Sequence, residues 1–143
     1  NAAFLWAQLE HLEEIQAKRK HIWNRYHDGL TGLEERNCFR MPDIPDYATN
    51  NAHMFYLVCR SLDERTKLIS YLKDKVLKDN GIVAPFHYLS LHKSDYYKDK
   101  HDGRELPLCD RYMDTLVRMP LYYELTDEQQ DTVINVIKKY YGE

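Results

Sequence analysis

The stretch His53-Met-Phe-Tyr-Leu-Val-Cys-Arg60, followed by Ser61-Leu-Asp-Glu64, decides how this chain folds. HMFYLVCR is rich in strand formers and is apolar on both alternating faces. That is the pattern of a central strand covered on two sides. Ser61 fits a helix N-cap, and Glu64, three residues on, completes a capping box. Leu68, Ile69, Leu72 and Val76 then make one helical stripe, and Asn80-Gly81 supplies a left-handed stop. A strand running straight into an amphipathic helix predicts a sheet with helices packed against it.

Toward the amino terminus, residues 3 to 30 read as one long helix. Leu5, Leu9, Leu12, Ile15, Ile22, Trp23 and Tyr26 form its apolar stripe, with Glu13, Glu14, Lys18, Arg19 and Lys20 opposite. Gly29 and Gly32 are expected to end it. Phe4, Leu5, Trp6 and Ala7 are apolar on several sides of the first turns. They are either a well-buried helix end or a docking surface for protein outside this chain. Asn1-Ala2 reads as the remnant of a cleaved tag, leaving 3–143 as the domain of a longer protein.

Toward the carboxyl terminus, a short strand is expected near Phe39–Met41 and another over Ile82, Val83 and Ala84. The second leads into PFHYLSLH, Pro85–His92. Residues 93–106 form a charged loop. Asp110–Arg118 reads as a short helix stopped by Pro120. Thr126 and Gln129 form a second capping box, and Val133, Ile134, Ile137 and Tyr140 give the last helix its apolar face. The order helix, strand, helix, strand, helix, helix has too few strands for a doubly wound sheet. The predicted class is α+β, a small antiparallel-rich sheet of about three strands covered by helices.

Composition narrows the function. The chain has 143 residues, a net charge of −3 and 30% charged residues. No basic excess exists to displace counterions from a nucleic acid. No apolar run approaches the roughly 20 residues that span a bilayer. Cys38, Cys59 and Cys109 are widely and irregularly spaced, as reduced cytosolic thiols are. The twelve tyrosines include three adjacent pairs, Tyr96-Tyr97, Tyr122-Tyr123 and Tyr140-Tyr141, suited to a core rim or an interface.

PFHYLSLH concentrates the polar and aromatic chemistry. His87 and His92 are five apart, so neither strand nor helix geometry converges them on one ion, and HExxH and CxxC are absent. His53 and His101 could join them only in three dimensions. There is no GxSxG elbow and no glycine-rich phosphate loop. On an extended segment, His87 and Tyr88 would point to opposite sides. The residues alone leave two readings open: the polar wall of a ligand pocket, or a packed strand whose histidine is satisfied by backbone.

Taken in order, NAHMFY (Asn51–Tyr56), a capped helix, FHYLSLH (Phe86–His92) and LVRMPLYYELT (Leu116–Thr126) resemble the carboxy-terminal domain of the DegT/StrS family of pyridoxal-phosphate-dependent sugar aminotransferases. FLWAQLEHLEEIQAKRKHIWNRY (Phe4–Tyr26) is similar to that family's long connecting helix, built around A-x-L-x-x-Q-L and R-x-x-x-W/A-x-x-Y. Within the family, NAHMFY followed by FHY and LH is most similar to the TDP-4-oxo-6-deoxy-D-glucose aminotransferases. That branch makes TDP-4-amino-4,6-dideoxygalactose for surface polysaccharides of the lipopolysaccharide and O-antigen type.

The resemblance implies the small domain of a fold-type I aminotransferase that is cytoplasmic and a homodimer in full-length form. Glutamate would be the amino donor, pyridoxal phosphate the cofactor and TDP-4-keto-6-deoxyglucose the acceptor. The Schiff-base lysine would lie in a missing amino-terminal domain, so this chain alone is expected to be inactive and to bind no cofactor. His87 and Tyr88 match the family's His-Tyr pair facing cofactor and sugar. His92 matches the second histidine, at the entrance loop, and Tyr96 and Tyr97 fall in the segment bordering the nucleotide sugar. The family usually has proline two residues before the second histidine; this chain has Ser90. A noncatalytic member of the same fold and a free-standing binding module are the rival expectations.

Overall fold

The computed structural model describes residues 2–75 and 81–143. Among the described residues there are five helices and a small antiparallel sheet: α1 Ala2–Glu10, α2 Leu12–Glu35, α3 Leu62–Lys75, α4 Pro107–Thr115 and α5 Asp127–Tyr140, with β1 Tyr56–Val58 and β2 Leu116–Arg118. The α+β class read from the sequence is the class observed. Val76 and Asn80, expected in the stripe and the stop of α3, lie outside the described residues.

The sheet is narrow because most of its partners contribute a single pair. β1 and β2 pair with Tyr56 opposite Arg118 and Val58 opposite Leu116. Arg40 bridges to Val58 on the outer side of β1, and Phe86 bridges to Val117 on the outer side of β2. β1 is therefore internal, as its two-faced apolarity requires. Leu57 is fully buried and Val58 nearly so. The expected strand at Phe39–Met41 shrinks to the Arg40 bridge. The one expected at 82–84 is displaced to the bridge at Phe86.

β2 corrects the helix expected over Asp110–Arg118. α4 stops at Thr115, and Leu116 already has extended backbone, with φ −84° and ψ 132°. Extended backbone here lets the Thr115 carbonyl accept from Cys59 N–H (2.9 Å) and Met119 N–H donate to the Phe55 carbonyl (2.9 Å). A helix would have left the polar groups of β1 without these partners. Pairing overrides the local preference of a stretch whose register with the sheet cannot be read locally.

The long amino-terminal helix is broken at His11, and its stripe divides there. Ile22, Trp23, Tyr26, Leu30 and Leu33 of α2 are buried, whereas Phe4, Leu5, Trp6, Leu9 and Leu12 are exposed. Within this chain the reading of a buried helix end is thus excluded. Gly29 and Gly32 do not end α2. The stop comes at Asn37, whose φ of 56° is left-handed. Cys38 N–H donates to the Leu33 carbonyl (3.1 Å) and Asn37 N–H to that of Glu34 (2.8 Å), the paired bonds of a Schellman motif.

The core lies between α2, α5 and the sheet. Phe55 stacks on Tyr26, with centroids 5.2 Å apart, and meets Trp23 edge-on at 5.4 Å. The buried Tyr26 hydroxyl donates to the Pro120 carbonyl at 2.9 Å. Thr126 and Gln129 form the expected reciprocal capping box of α5. At α3 the box forms by half. Ser61 Oγ accepts from Glu64 N–H (3.1 Å), but the Glu64 carboxylate turns to Arg60, accepting from its backbone N–H (2.7 Å) and its guanidinium (2.6 Å). No helix among the described residues is long and apolar enough to cross a membrane.

Candidate functional site

PFHYLSLH leaves the sheet at its edge. Arg118 N–H donates to the Pro85 carbonyl at 2.9 Å and Phe86 makes the bridge to Val117; residues 87–90 then carry no regular structure. His87 and Tyr88 consequently do not alternate across a strand. Their rings are in contact, with centroids 4.6 Å apart at 57°, which corrects the expectation of opposite faces. Tyr88 is 77% exposed. The Nδ1 atom of half-buried His87 is enclosed and has no hydrogen-bond partner among the described residues.

The next turn is held from a different element. Leu91–Lys93 form a single 3-10 turn after Ser90. Ser90 is 3% exposed, and its hydroxyl donates to Asp110 Oδ1 at 2.8 Å. His92 Nε2 lies 3.3 Å from the same oxygen, and Lys93 Nζ lies 2.7 Å from Oδ2. Asp110 stands in the first turn of α4, whose first residue is Pro107. The Lys93 ammonium holds the Asp110 carboxyl below the usual carboxylate range; partial desolvation opposes it, and the Ser90 hydroxyl assists.

Beyond His92 lies an open cleft of about 310 Å³, with His92, Tyr97, Lys100, His101 and Arg104 among its lining residues and Leu91 and Leu106 supplying apolar surface. The rings of His92 and His101 are 5.3 Å apart. His101 Nδ1 accepts from Gly103 N–H at 3.1 Å, and its Nε2 lies 3.6 Å from Asp102 Oδ1, with no hydrogen-bond partner among the described residues. The Lys100 ammonium sits 3.4 Å from the centroid of the Tyr96 ring.

The candidate residues thus fall into two groups. His92 lines the cleft and Tyr96 stands outside its lining, against Lys100, while His87 and Tyr88 form a separate pair. His53 joins neither: its Nδ1 lies 2.8 Å from Asn51 Oδ1, on a larger cleft of about 540 Å³ beside α1 and α2. Among the described residues, no three His, Cys, Asp or Glu side chains are placed to hold a metal ion. Sequence reasoning missed Asp110, which it read only as the start of a short helix. The available signal was an acid in the first turn after a proline, the place where a helix start favours a carboxylate.

A two-stranded antiparallel core under five helices, with a broken helix leading in, is the fold of aminotransferase domains. DesV from S. venezuelae, solved in complex with a ketimine intermediate, aligns with a TM-score of 0.83 and 23% identity, over 99% of this chain and 36% of that one. The aminotransferase TlmJ from Streptoalloteichus hindustanus aligns with a TM-score of 0.79 and 25% identity, over 93% of this chain and 33% of that one. The putative sugar aminotransferase Spr1654 from Streptococcus pneumoniae, in its apo form, gives 0.75 and 25%, over 94% and 32%. Spr1654 has also been solved in forms holding PLP and PMP. Residues 1–138 match the DegT/DnrJ/EryC1/StrS aminotransferase family, and this chain belongs to it. The chain spans about a third of the length of these solved relatives.

Proposed function

We propose that this chain is the small domain of a pyridoxal-phosphate-dependent aminotransferase acting on a nucleotide sugar. In the complete, dimeric enzyme an amino group would pass from glutamate to TDP-4-keto-6-deoxyglucose, in the service of surface-polysaccharide synthesis. The family match over residues 1–138 carries this reading.

The residues present fit a site completed by groups outside this chain. The enclosed Nδ1 of His87 is the kind of buried polar atom that native proteins satisfy, and nothing among the described residues satisfies it. Beside it, the exposed Tyr88 ring offers an apolar face with a polar tip, suited to a sugar or base. When bound, pyridoxal phosphate would supply temporary custody of the amino group and delocalisation of the electron pair left when a proton is removed. His87 would give or accept one hydrogen bond there, Tyr88 would cover the sugar side, and His92 with Tyr96 would border the nucleotide sugar. All are binding and orienting roles that also exclude water.

The test uses the complete enzyme with a panel of TDP-linked 3-keto and 4-keto sugars and glutamate, with products resolved by mass spectrometry. Amino transfer at C4 of the 4-keto-6-deoxy sugar is expected. His87→Phe, which keeps bulk and removes the ring nitrogens, should lower kcat/KM about tenfold, the kinetic equivalent of one strong hydrogen bond. Transfer at C3, or unchanged kcat/KM in the variant, would count against the substrate or the role of His87 respectively.

A further inference from the structure

We propose that Ser90 and Asp110 form a latch that positions His92 and its turn for the sugar substrate; the positioning role rests on the functional reading above. Residues 87–90 lack helix or strand bonds that could fix their path. Yet Ser90 has a φ of −58°, within the range to which a proline ring would lock it. Here a buried side-chain hydrogen bond takes the place of that ring as the restraint on the turn. The Ser90 hydroxyl donates to Asp110 Oδ1 at 2.8 Å, while its backbone N–H reaches only Met113 Sδ, at 3.2 Å.

The anchor is well chosen for this task. Asp110 belongs to α4, 20 residues further along the chain, and receives Ser90, His92 and Lys93 on one carboxylate. Exposed ion pairs contribute little because water competes and long side chains must be ordered. This cluster differs in both respects. Ser90 is 3% exposed, and the side chains of His92 and Asp110 are 10% and 18% exposed. Only Lys93 is long and flexible. With Nε2 3.3 Å from Asp110 Oδ1, His92 is placed at the cleft. Ser90 therefore replaces, by one buried hydrogen bond, the ring restraint that the resemblance leads one to expect at this position.

The experiment compares Ser90→Ala and Ser90→Pro in the complete enzyme. Amide exchange reads the turn through the Lys93 and Ser94 N–H groups, which donate to the Ser90 and Leu91 carbonyls. Ser90→Ala should speed their exchange at least about tenfold and raise KM for the keto sugar by a similar factor, the loss of one hydrogen bond to a charged carboxylate. The glutamate half-reaction should stay within about twofold of wild type, because it does not use the sugar contacts. Ser90→Pro should return both readouts to wild type, since it restores φ without the hydroxyl. Unchanged exchange in Ser90→Ala, or a proline variant as impaired as alanine, would overturn the latch. Faster exchange with an unchanged KM would overturn the positioning role. A wild-type enzyme that aminates no keto sugar would overturn the functional reading instead, and the exchange data would still decide whether the latch exists.

Discussion

Gln130 of α5 donates from Nε2 to the Ile22 carbonyl of α2 at 2.6 Å, with the glutamine fully buried and its Oε1 unpartnered. One good hydrogen bond is thus coupled to one enclosed acceptor that lacks a donor. Removing both polar atoms while keeping the volume should leave little net loss. Gln130→Leu is predicted to lie within about 1 kcal/mol of wild type in urea denaturation, and Gln130→Ala to lose about 2–4 kcal/mol to the cavity. A leucine variant as damaged as the alanine one would make the hydrogen bond, not the packing, the main contribution.

The two glycines of α2 should respond in opposite ways to alanine. A Cβ at Gly29 would lie 2.9 Å from Ile134 Cδ1, inside the α2–α5 contact, whereas a Cβ at Gly32 meets nothing within 4 Å. Gly32→Ala is predicted to stabilise by about 0.5–1 kcal/mol through helix propensity. Gly29→Ala gains the same propensity but must displace a core side chain, and a net loss of about 1–2 kcal/mol is expected. Thermal unfolding of the two variants side by side reads the difference in sign.

Glu64 gives the fold a dependence on pH. Desolvation raises its carboxyl, but the Arg60 guanidinium and backbone N–H outweigh that and hold it below the usual carboxylate range. A depressed folded-state pKa means stability that is present above the unfolded value of about 4.3 and lost as pH falls through the lower folded value. Glu64→Gln should therefore cost about 1–2 kcal/mol at pH 7, and the gap should close below about pH 4. A gap independent of pH would show that charge is irrelevant at this position.

Local chemistry was legible wherever a feature is closed within a few residues. The Thr126–Gln129 box and the Ser61 cap were read from the sequence because their partners lie nearby, and the two-faced apolarity of His53–Arg60 because it is carried by the stretch itself. β2 was not legible, since Leu116–Arg118 is extended only through pairing with a strand almost 60 residues earlier. The stop of α2 was misplaced for a related reason. Gly32 is tolerated in a helix, and the left-handed residue is Asn37, which glycine statistics overlook. In the candidate site, the special character of PFHYLSLH was visible, but its anchor on Asp110 was not, because no local period links residues 90 and 110.

The apolar half of the leading helix has a measurable consequence. Phe4 and Trp6 are 72% and 66% exposed in this chain. Such a patch favours self-association when nothing else covers it. Sedimentation of the 143-residue chain is predicted to reveal concentration-dependent association, and replacing Phe4 and Trp6 together by serine should weaken it at least about tenfold, by the apolar area removed. An unchanged association constant would place the contact elsewhere on the chain.

The central claim is that this chain is one domain of a cofactor-dependent amino-transfer enzyme. The most direct measurement is the visible and near-ultraviolet spectrum of the complete purified protein, first alone, then with glutamate, then with the TDP-linked keto sugar. A cofactor band should be present, should shift when glutamate is added and should return when the keto sugar takes the amino group. A spectrum with no cofactor band, or a band that neither substrate alters, would contradict the account.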